Sequence, residues 1–208
     1  MDFEAIGQPT CNGIIRAMLR AGYVLTGGKS SRMRRDKALL PMDGSTLVER
    51  VANTVRQAAG SVTLVGAADR YAGLGLPLIE DEFPGCGPLS GIHAALGHSL
   101  EEWNLIVACD MPKLEPEFLS WLLDSAENEE ADVLLPAGPS GLPEPLCGVY
   151  RRRCLDSAGA ALKEGRWKIM DAFSSLRIRI VAALDSGLFE NVNTPEDWAK
   201  LRHTSIRR

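Results

Sequence analysis

Residues 21–40 read AGYVLTGGKSSRMRRDKALL, a short apolar run followed by two glycines and a cluster of cations. The apolar run at 21–25 is rich in β-formers and predicts a buried first strand. Gly27 and Gly28 allow positive φ angles and let another group approach without a Cβ in the way. Five Lys and Arg residues and two serines then fall within residues 29–37. On a chain whose net charge is −4, this cluster predicts an anionic partner.

The cation cluster has two interpretations. A charge run is often a solvated surface loop. Directly after a buried strand, however, a Gly-Gly turn followed by hydroxyls and cations offers backbone N–H groups and fixed positive charge to a polyphosphate. We therefore favour anion binding. The two commonest phosphate loops do not match, because Arg32 and Met33 stand where Gly-x-x-x-x-Gly-Lys-Ser/Thr needs Gly and Lys, and no Gly-x-Gly-x-x-Gly follows the strand.

Length and composition indicate a single globular domain. The chain has 208 residues, 45% of them hydrophobic, which is enough for one substantial core. We expect this domain over residues 21–208, preceded by a partly ordered N-terminal extension over residues 1–20. No apolar run approaches the roughly 18 residues of a membrane span, and the chain does not open with a signal-peptide pattern, so we expect neither membrane insertion nor export.

Cysteine usage and charge narrow the class of protein further. The five cysteines form no Cys-x-x-Cys pair, and the three histidines lack metal-ligand spacing. This pattern argues against a disulfide framework and a zinc site, and it predicts a reducing, cytoplasmic location. The sequence pI is near 5.5. We therefore expect no nucleic-acid footprint, since a local basic pocket on an acidic protein suits a small polyanion better.

The rest of the chain alternates between helix and strand patterns. A turn ending in the N-cap hydroxyl of Thr46, with Glu49 three residues later, predicts a capping box. Apolar residues at spacings of 3 and 4 continue from there to a helix end at Gly60. Further strands are expected at 62–65, 76–79, 103–109 and 132–136, and further helices after the loop 85–91, over 114–126 and over 154–163. Repeated strand–helix–strand units of this length predict an α/β fold with parallel crossovers.

Asp110 stands at the end of the most apolar strand pattern. Open α/β sheets bind ligands outside the carboxyl ends of their strands. The alternative is that Asp110 caps a turn or the helix that follows Pro116. A polyphosphate loop on another strand of the same sheet favours a functional role, because Mg²⁺ requires a carboxylate beside the phosphates that it bridges.

The last pattern in the chain is FENVNTPED at residues 189–197. Residues 194–197 are typical of a helix start, with proline at the first helical position and an acidic first turn. A helix start does not account for Asn191 and Asn193. On a strand, residues i and i+2 point to the same face, so these two amides are candidates for one site.

Four ordered motifs, one of them Gly-Pro-Leu at residues 87–89, together resemble one family. LTGGKSSRM at residues 25–33, followed by Asp36-Lys37, is similar to the signature loop Leu-x-Gly-Gly-x-Ser-x-Arg-Met-Gly-x-Asp-Lys of the molybdenum cofactor guanylyltransferases, which are nucleotidyltransferases. Arg34 stands where that family usually has Gly. Residues 109–112 resemble its Cys-Asp-x-Pro motif, and residues 191–197 resemble its closing motif. The resemblance covers about residues 22–202, and within it residues 144–150 look like the strand beside the acceptor.

The resemblance implies a fold and a reaction. The fold is a single-domain three-layer α/β/α arrangement around a Rossmann-like, mostly parallel twisted sheet, as in nucleotide-diphospho-sugar transferases. The reaction transfers GMP from GTP to the molybdopterin cofactor, giving the guanine dinucleotide cofactor and pyrophosphate. Mg²⁺ is the expected cofactor. The expected partners are GTP, the molybdopterin acceptor, and cofactor-insertion enzymes or chaperones.

The resemblance also implies roles for residues on the nucleoside side of the site. It assigns Leu25, Gly27 and Gly28 to the base and ribose of the nucleotide. Asp81 resembles a family position on the same side.

A second group of implied roles concerns the triphosphate and the metal. Arg32 and Lys37 would neutralise the triphosphate and the departing pyrophosphate. Asp110 would hold Mg²⁺ together with Asn193, and Asn191 would support that site. Arg32, Lys37 and Asp110 are thus the expected catalytic residues, and both Lys37 and Asp110 are also expected to bind the nucleotide.

Rival functions remain open at this stage. The nearest are a cytidylyltransferase of the same cofactor and a sugar-phosphate nucleotidyltransferase of the same fold. Cytidylyl relatives usually carry Ala-Gly in place of Gly27-Gly28, which favours guanine. A non-catalytic nucleotide sensor is the alternative from another class. The presence of both Asp110 and Lys37 argues against a sensor, which has no need of metal-assisted leaving-group chemistry.

Overall fold

The computed structural model of the protein describes residues 20–26, 36–42, 44–138, 140–182, 186–192, 194 and 196–199. The strands are β1 (Arg20–Leu25), β2 (Pro41–Met42), β3 (Ser45–Thr46), β4 (Thr63–Val65), β5 (Leu78–Ile79), β6 (Trp103–Ala108), β7 (Val133–Ala137), β8 (Cys147–Arg151) and β9 (Ile178–Ala182). The helices are α1 (Leu47–Ala59), α2 (Ala68–Tyr71), α3 (Pro88–His98), α4 (Pro116–Asn128), α5 (Cys154–Lys163) and α6 (Ile169–Ala172), with 3₁₀ turns at Lys37–Leu39, Ala72–Leu74 and Ser186–Phe189. None of the helices in these ranges combines the length and the apolar character that crossing a bilayer requires.

The main sheet has the strand order β5-β4-β1-β6-β8-β7-β9. Strands β5, β4, β1 and β6 are parallel, β8 is antiparallel to its neighbours β6 and β7, and β9 is parallel to β7. The expected mostly parallel sheet is therefore confirmed. The chain moves outward from β1 to β4 and β5 and then returns to the other side of β1 with β6. The carboxyl ends of β1 and β6 thus form the switch point at which open α/β sheets bind ligands.

Apolar side chains of the central strands alternate between two cores, one on each face of the sheet. In β1, Val24 lies in the first core, whereas Tyr23 and Leu25 lie in the second. In β6, Val107 lies in the first core and Ile106 in the second. Helices α1 and α4 cover the first core, and α3, α5 and α6 cover the second. This arrangement is the three-layer α/β/α fold that the resemblance implied.

Helix α1 begins and ends where its caps predict. The Thr46 hydroxyl accepts a hydrogen bond from the Glu49 N–H, and the Glu49 carboxylate accepts one from the Thr46 N–H at 2.7 Å. Gly60 ends the helix in the left-handed conformation, with φ at 81°. The helix packs directly on β1, because a Cβ at Gly22 would lie 2.5 Å from Val55 Cγ1.

Several features of the sheet were not predicted. Residues 144–150 were expected to form a strand, but β8 begins only at residue 147 because the Cys147 N–H donates to the Glu144 carbonyl in a turn. The short link from β7 makes β8 antiparallel, since a parallel neighbour needs a long crossover. Strand β1 begins at Arg20, one residue before the apolar run from which it was predicted. Residues 1–19 lie outside the described residues.

Candidate active site

The carboxyl ends of β1 and β6 lie side by side. The Cys109 N–H donates to the Leu25 carbonyl at 3.1 Å, which continues the ladder between the two strands by one residue. Thr26 leaves β1 and Asp110 leaves β6 at this point. The start of the cation-rich segment and the strand-end acid therefore share one edge of the sheet, as the sequence patterns predict.

Lys37 and Asp110 form an ion pair at this edge. Lys37 Nζ lies 2.5 Å from Asp110 Oδ2, and the two side chains are 20% and 16% exposed. Lys37 opens a 3₁₀ turn that is capped by Asp36, whose Oδ1 accepts from the Ala38 N–H at 3.1 Å. The structure thus brings together two of the three expected catalytic residues, although 73 positions separate them in sequence. The pair is shielded enough from solvent that salt screens it less than an exposed pair.

The segment before Asn193 also lies beside Asp110. The Val192 N–H donates to the Asp110 carbonyl at 2.9 Å. Two residues earlier, Glu190 Oε2 contacts Lys113 Nζ at 2.5 Å. A small core of Leu40, Met42, Leu47 and Val192, with Trp198 packed against it, attaches the segment to the first turn of α1. The expected supporting residue Asn191 lies between these two contacts.

The helix start expected after Asn193 has reciprocal capping bonds. The Thr194 N–H donates to Asp197 Oδ2 at 2.9 Å, and the Asp197 N–H donates to Thr194 Oγ1 at 3.1 Å. Both bonds match the interpretation of residues 194–197 as a helix N-terminus. Asn193 itself lies outside the described residues, as do the expected site residues Gly27, Gly28 and Arg32.

Leu25 is held by the first turns of helix α3. Its side chain is 7% exposed and lies in the second core. A Cβ added at Gly91 would stand 3.1 Å from Leu25 Cδ2, so a larger residue there would push the helix away from β1. Because the Leu25 side chain is enclosed, Leu25 could take part in nucleotide binding only through its main chain or by positioning the next residue, Thr26.

Asp81 follows the carboxyl end of β5, at the same edge of the sheet as Thr26 and Asp110. Its Oδ1 is buried and has no hydrogen-bond partner among the described residues. The preceding Glu80 has a different role, since its carboxylate accepts from the Ala68 N–H at 2.8 Å and holds the start of α2. A buried carboxylate oxygen without a donor is costly, so Asp81 is well suited to accept a hydrogen bond from a ligand.

Glu144 is a second carboxylate at the Asp110 end of β6 that the sequence reasoning did not single out. Burial raises the pKa of the Glu144 carboxyl above its usual value, and the negative charge of Asp110 raises it further. Its side chain folds over Gly138, where an added Cβ would stand 2.3 Å from Glu144 Oε1. The proximity of Glu144 to Asp110 follows from the antiparallel pairing of β8 with β6, which the sequence patterns did not predict. Val107 lies opposite Cys147, and continuing this register by three residues places Asp110 opposite Glu144.

The described acidic groups of this region do not form a multi-ligand metal cage. Among the described residues, no group of three or more His, Cys, Asp or Glu side chains is arranged to hold a metal ion. A cation at Asp110 would therefore take most of its ligands from water, amides and a bound substrate.

Comparison with known proteins places the chain in a family. Residues 22–178 match the family model described as the MobA-like NTP transferase domain, which is more than half of the chain. The chain belongs to the MobA-like NTP transferase family. As a member it is a nucleotidyltransferase, and the resemblance to molybdenum cofactor guanylyltransferases is confirmed. Nucleotidyltransferases of this kind commonly use a divalent metal ion.

Individual MobA-like relatives match over most of their length. A probable molybdenum cofactor guanylyltransferase of Carboxydothermus hydrogenoformans is 37% identical over 185 residues, which cover 86% of this chain and 92% of the relative. The molybdenum cofactor guanylyltransferase of Desulfosudis oleivorans is 35% identical over 188 residues, with 86% and 92% coverage. The crystal structure of molybdopterin-guanine dinucleotide biosynthesis protein A from Archaeoglobus fulgidus superposes with a TM-score of 0.78 at 26% identity, covering 90% of this chain and 100% of the other.

Proposed function

We propose that the protein transfers GMP from GTP to the molybdopterin cofactor, producing molybdopterin guanine dinucleotide cofactor and pyrophosphate. The observation that carries this proposal is the Lys37–Asp110 ion pair at the switch point of the sheet, in a chain whose relatives are named guanylyltransferases. A cation and a carboxylate at one position suit a triphosphate, because one neutralises phosphate oxygens and the other is a ligand for the divalent ion that accompanies them.

The proposed chemistry needs no activated nucleophile. The acceptor ends in a phosphate that is anionic at neutral pH, and one of its oxygens attacks the α-phosphorus of GTP. A new P–O bond forms there while the bond from the α-phosphorus to the bridging oxygen breaks, and pyrophosphate departs with the electron pair. Positioning and charge stabilisation supply the catalysis. Lys37 neutralises the charge that develops on the leaving group, and Arg32 is proposed to share this role.

The residues around Asp110 fit Mg²⁺ rather than a transition metal. Mg²⁺ is usually bound in proteins by one or two carboxylates, with substrate phosphates and water completing its shell. Asp110 supplies the carboxylate, and the Val192 bond to Asp110 supports Asn193 as the second ligand and Asn191 as a residue that holds the segment in place. Held by Asp110 and Asn193, Mg²⁺ would supply positive charge that offsets the negative charge of the phosphates.

The nucleoside would lie on the β5 side of the triphosphate. Gly27 and Gly28 are proposed to face the base, where the absence of side chains lets a purine approach the main chain. Asp81 is proposed to accept a hydrogen bond from the nucleoside, which would satisfy its buried Oδ1. Leu25 would contribute through its main chain.

The proposed setting is the cytoplasm. The described cysteines, Cys86, Cys109, Cys147 and Cys154, are all free thiols, as in a reducing compartment. The partners proposed there are GTP, the molybdopterin acceptor, and the enzymes or chaperones that insert the finished cofactor.

The experiment that tests this function is a pyrophosphate-release assay with each of the four NTPs, with and without purified molybdopterin cofactor. We expect release with GTP only, and only when the acceptor is present. Release with CTP and not with GTP would assign the protein to cytidylyl transfer instead, and equal release with both would contradict selection of GTP. GTP binding without any release in the presence of the acceptor would indicate a sensor.

A further inference from the structure

One buried hydroxyl connects the two ends of the cation-rich segment. The Tyr71 hydroxyl lies 3.1 Å from the Thr26 carbonyl and 2.7 Å from Asp36 Oδ2. Thr26 and Asp36 are the residues immediately before and after positions 27–35, the segment proposed to hold the triphosphate. Tyr71 comes from α2, in the connection between β4 and β5, so this contact links a separate part of the chain to the proposed phosphate loop.

The Thr26 end of the bridge is fixed to the sheet. Both its N–H and its hydroxyl donate to the Val65 carbonyl, each at 2.9 Å. Gly66 leaves no free space at this point, because an added Cβ would stand 1.8 Å from Thr26 Oγ1 and 3.0 Å from Tyr71 Cε2. Tyr71 is 2% exposed and lies in the first core. The hydroxyl is therefore held in place by the sheet and by the packing of its own ring.

The Asp36 end of the bridge leads to the ion pair. While Oδ2 of Asp36 accepts from Tyr71, its Oδ1 accepts from the Ala38 N–H and caps the turn that Lys37 opens. Lys37 then reaches Asp110 at 2.5 Å. The position of Asp36 thus sets the position of the backbone from which the Lys37 side chain extends. Arg70, at 3.8 Å from the same Asp36 oxygen, is a longer contact that cannot fix geometry in the same way.

The Tyr71 hydroxyl stays protonated, and is therefore a hydrogen-bond donor, over the pH range in which the enzyme would work. Burial raises the pKa of Tyr71 above its usual value, and the neighbouring Asp36 carboxylate raises it further. A tyrosine hydroxyl carries one hydrogen, which the two acceptors share. The shorter bond goes to the charged acceptor, as expected for a charge-assisted hydrogen bond.

We propose that Tyr71 is a positioning residue for nucleotidyl transfer, whose hydroxyl fixes both ends of segment 27–35 and, through Asp36, holds Lys37 beside Asp110. This inference rests on the proposed function for its catalytic consequence. Its structural part, the joining of the two ends, stands without it. Tyr71 touches neither substrate nor metal in this account and acts through Thr26, Asp36 and Lys37.

The test replaces Tyr71 by Phe, which removes the hydroxyl and keeps the ring. The matched control is Tyr23→Phe, because Tyr23 is also 2% exposed and its hydroxyl lies 3.0 Å from His98 Nδ1, away from the segment. Tyr71→Phe is expected to lower kcat/KM for GTP about 10- to 100-fold, the size of effect that a small displacement of a reacting group produces. Tyr23→Phe is expected to lose about as much thermal stability as Tyr71→Phe but to leave kcat/KM unchanged.

Two further measurements separate positioning from general stability. If Tyr71 acts through Lys37, adding Tyr71→Phe to Lys37→Ala should cost far less than it costs alone. Trypsin has sites at Lys29, Arg32, Arg34 and Arg35, all within the segment. Tyr71→Phe should speed cleavage at these four sites relative to cleavage elsewhere, because release of the ends lowers the free energy of local opening.

The outcomes distinguish failure of this inference from failure of the proposed function. If the wild type releases pyrophosphate and Tyr71→Phe matches it in kcat/KM and in trypsin cleavage, the inference is wrong. If the wild type releases no pyrophosphate with any NTP, the proposed function is wrong, and the cleavage comparison with Tyr23→Phe still decides whether the hydroxyl joins the two ends. Asp36→Ser provides an independent check, since its hydroxyl can still cap the turn but leaves no second polar atom to meet the Tyr71 hydroxyl, and it should reproduce the Tyr71→Phe effect.

Discussion

The substitution Gly66→Ala probes a crowded point beside the candidate site. Its Cβ would stand 1.8 Å from Thr26 Oγ1 and 3.0 Å from Tyr71 Cε2, and both neighbours are buried. Neither group is the free end of a flexible chain. Thr26 donates from two atoms to the Val65 carbonyl, and the Tyr71 ring lies within the first core. The protein must therefore shift Thr26, the Tyr71 ring, or both.

The expected cost follows from these contacts. Overpacking of a well-filled core costs about 1–3 kcal/mol. Displacing the Thr26 hydroxyl from the Val65 carbonyl adds about 1 kcal/mol for the lost hydrogen bond. We expect Gly66→Ala to lower the free energy of unfolding by roughly 2–4 kcal/mol, the sum of those two contributions. Since Thr26 and Tyr71 hold the segment that precedes Lys37, GTP binding should weaken as well.

A matched control is available at Gly73. An added Cβ there meets no described atom within 4 Å, and Gly73 does not have a positive φ. Gly73→Ala should therefore be neutral or stabilise the protein by about 0.4–1 kcal/mol, because alanine restricts the unfolded chain. Urea unfolding followed by circular dichroism measures both variants, and calorimetric titration with GTP gives the affinity. Equal stability of Gly66→Ala and Gly73→Ala would refute the reasoning.

Three other predictions follow from single contacts. Lys37→Met should reduce GMP transfer about 100- to 1000-fold in steady-state assays while the fold is kept, because it removes a charge that is proposed to neutralise the triphosphate. Burial alone would raise the pKa of Asp132, but the Arg177 N–H and the Arg153 guanidinium outweigh burial and lower it. The charged Asp132 carboxylate therefore stabilises the fold above the unfolded pKa of about 3.9, and this stabilisation is lost as the pH falls through the lower folded pKa. Asp132→Asn should lower the free energy of unfolding by about 1–2 kcal/mol at pH 7, and by less at pH 3, as measured by urea unfolding. Thr46→Ala should cost about 1 kcal/mol in the same measurement, because it removes the N-cap of α1.

The elements that could be predicted from sequence are those whose signals are local. The capping box and Gly60 give the two ends of α1, and the richness in Leu and Ala over 154–163 gives α5 with the bounds found in the structure. A run of apolar residues likewise predicts β1 and β6. In each case the atoms that specify the element lie within a few residues of one another, so the pattern is visible along the chain.

The features that could not be predicted depend on contacts between distant residues. The direction of β8 follows from the length of the link after β7, and a strand pattern carries no information on direction. The same limit applies to the site. Asp110 and Lys37 were expected because family motifs and strand ends mark them, whereas the Tyr71 bridge and the proximity of Glu144 to Asp110 leave no periodic signal. A hydroxyl bonded to a main-chain carbonyl 45 positions away is invisible until the fold is known.

The measurement that tests the central claim most directly is the rate of GMP transfer by Asp110→Asn. Asparagine keeps the shape of the side chain but removes the charge that pairs with Lys37 and that is proposed to hold Mg²⁺. The variant is expected to fold and to lose at least 100-fold in rate, about 2.7 kcal/mol of transition-state stabilisation. If Asp110 only capped a turn, the change would be almost silent, because asparagine caps about as well as aspartate. Near wild-type guanylyl transfer by folded Asp110→Asn protein would contradict the account.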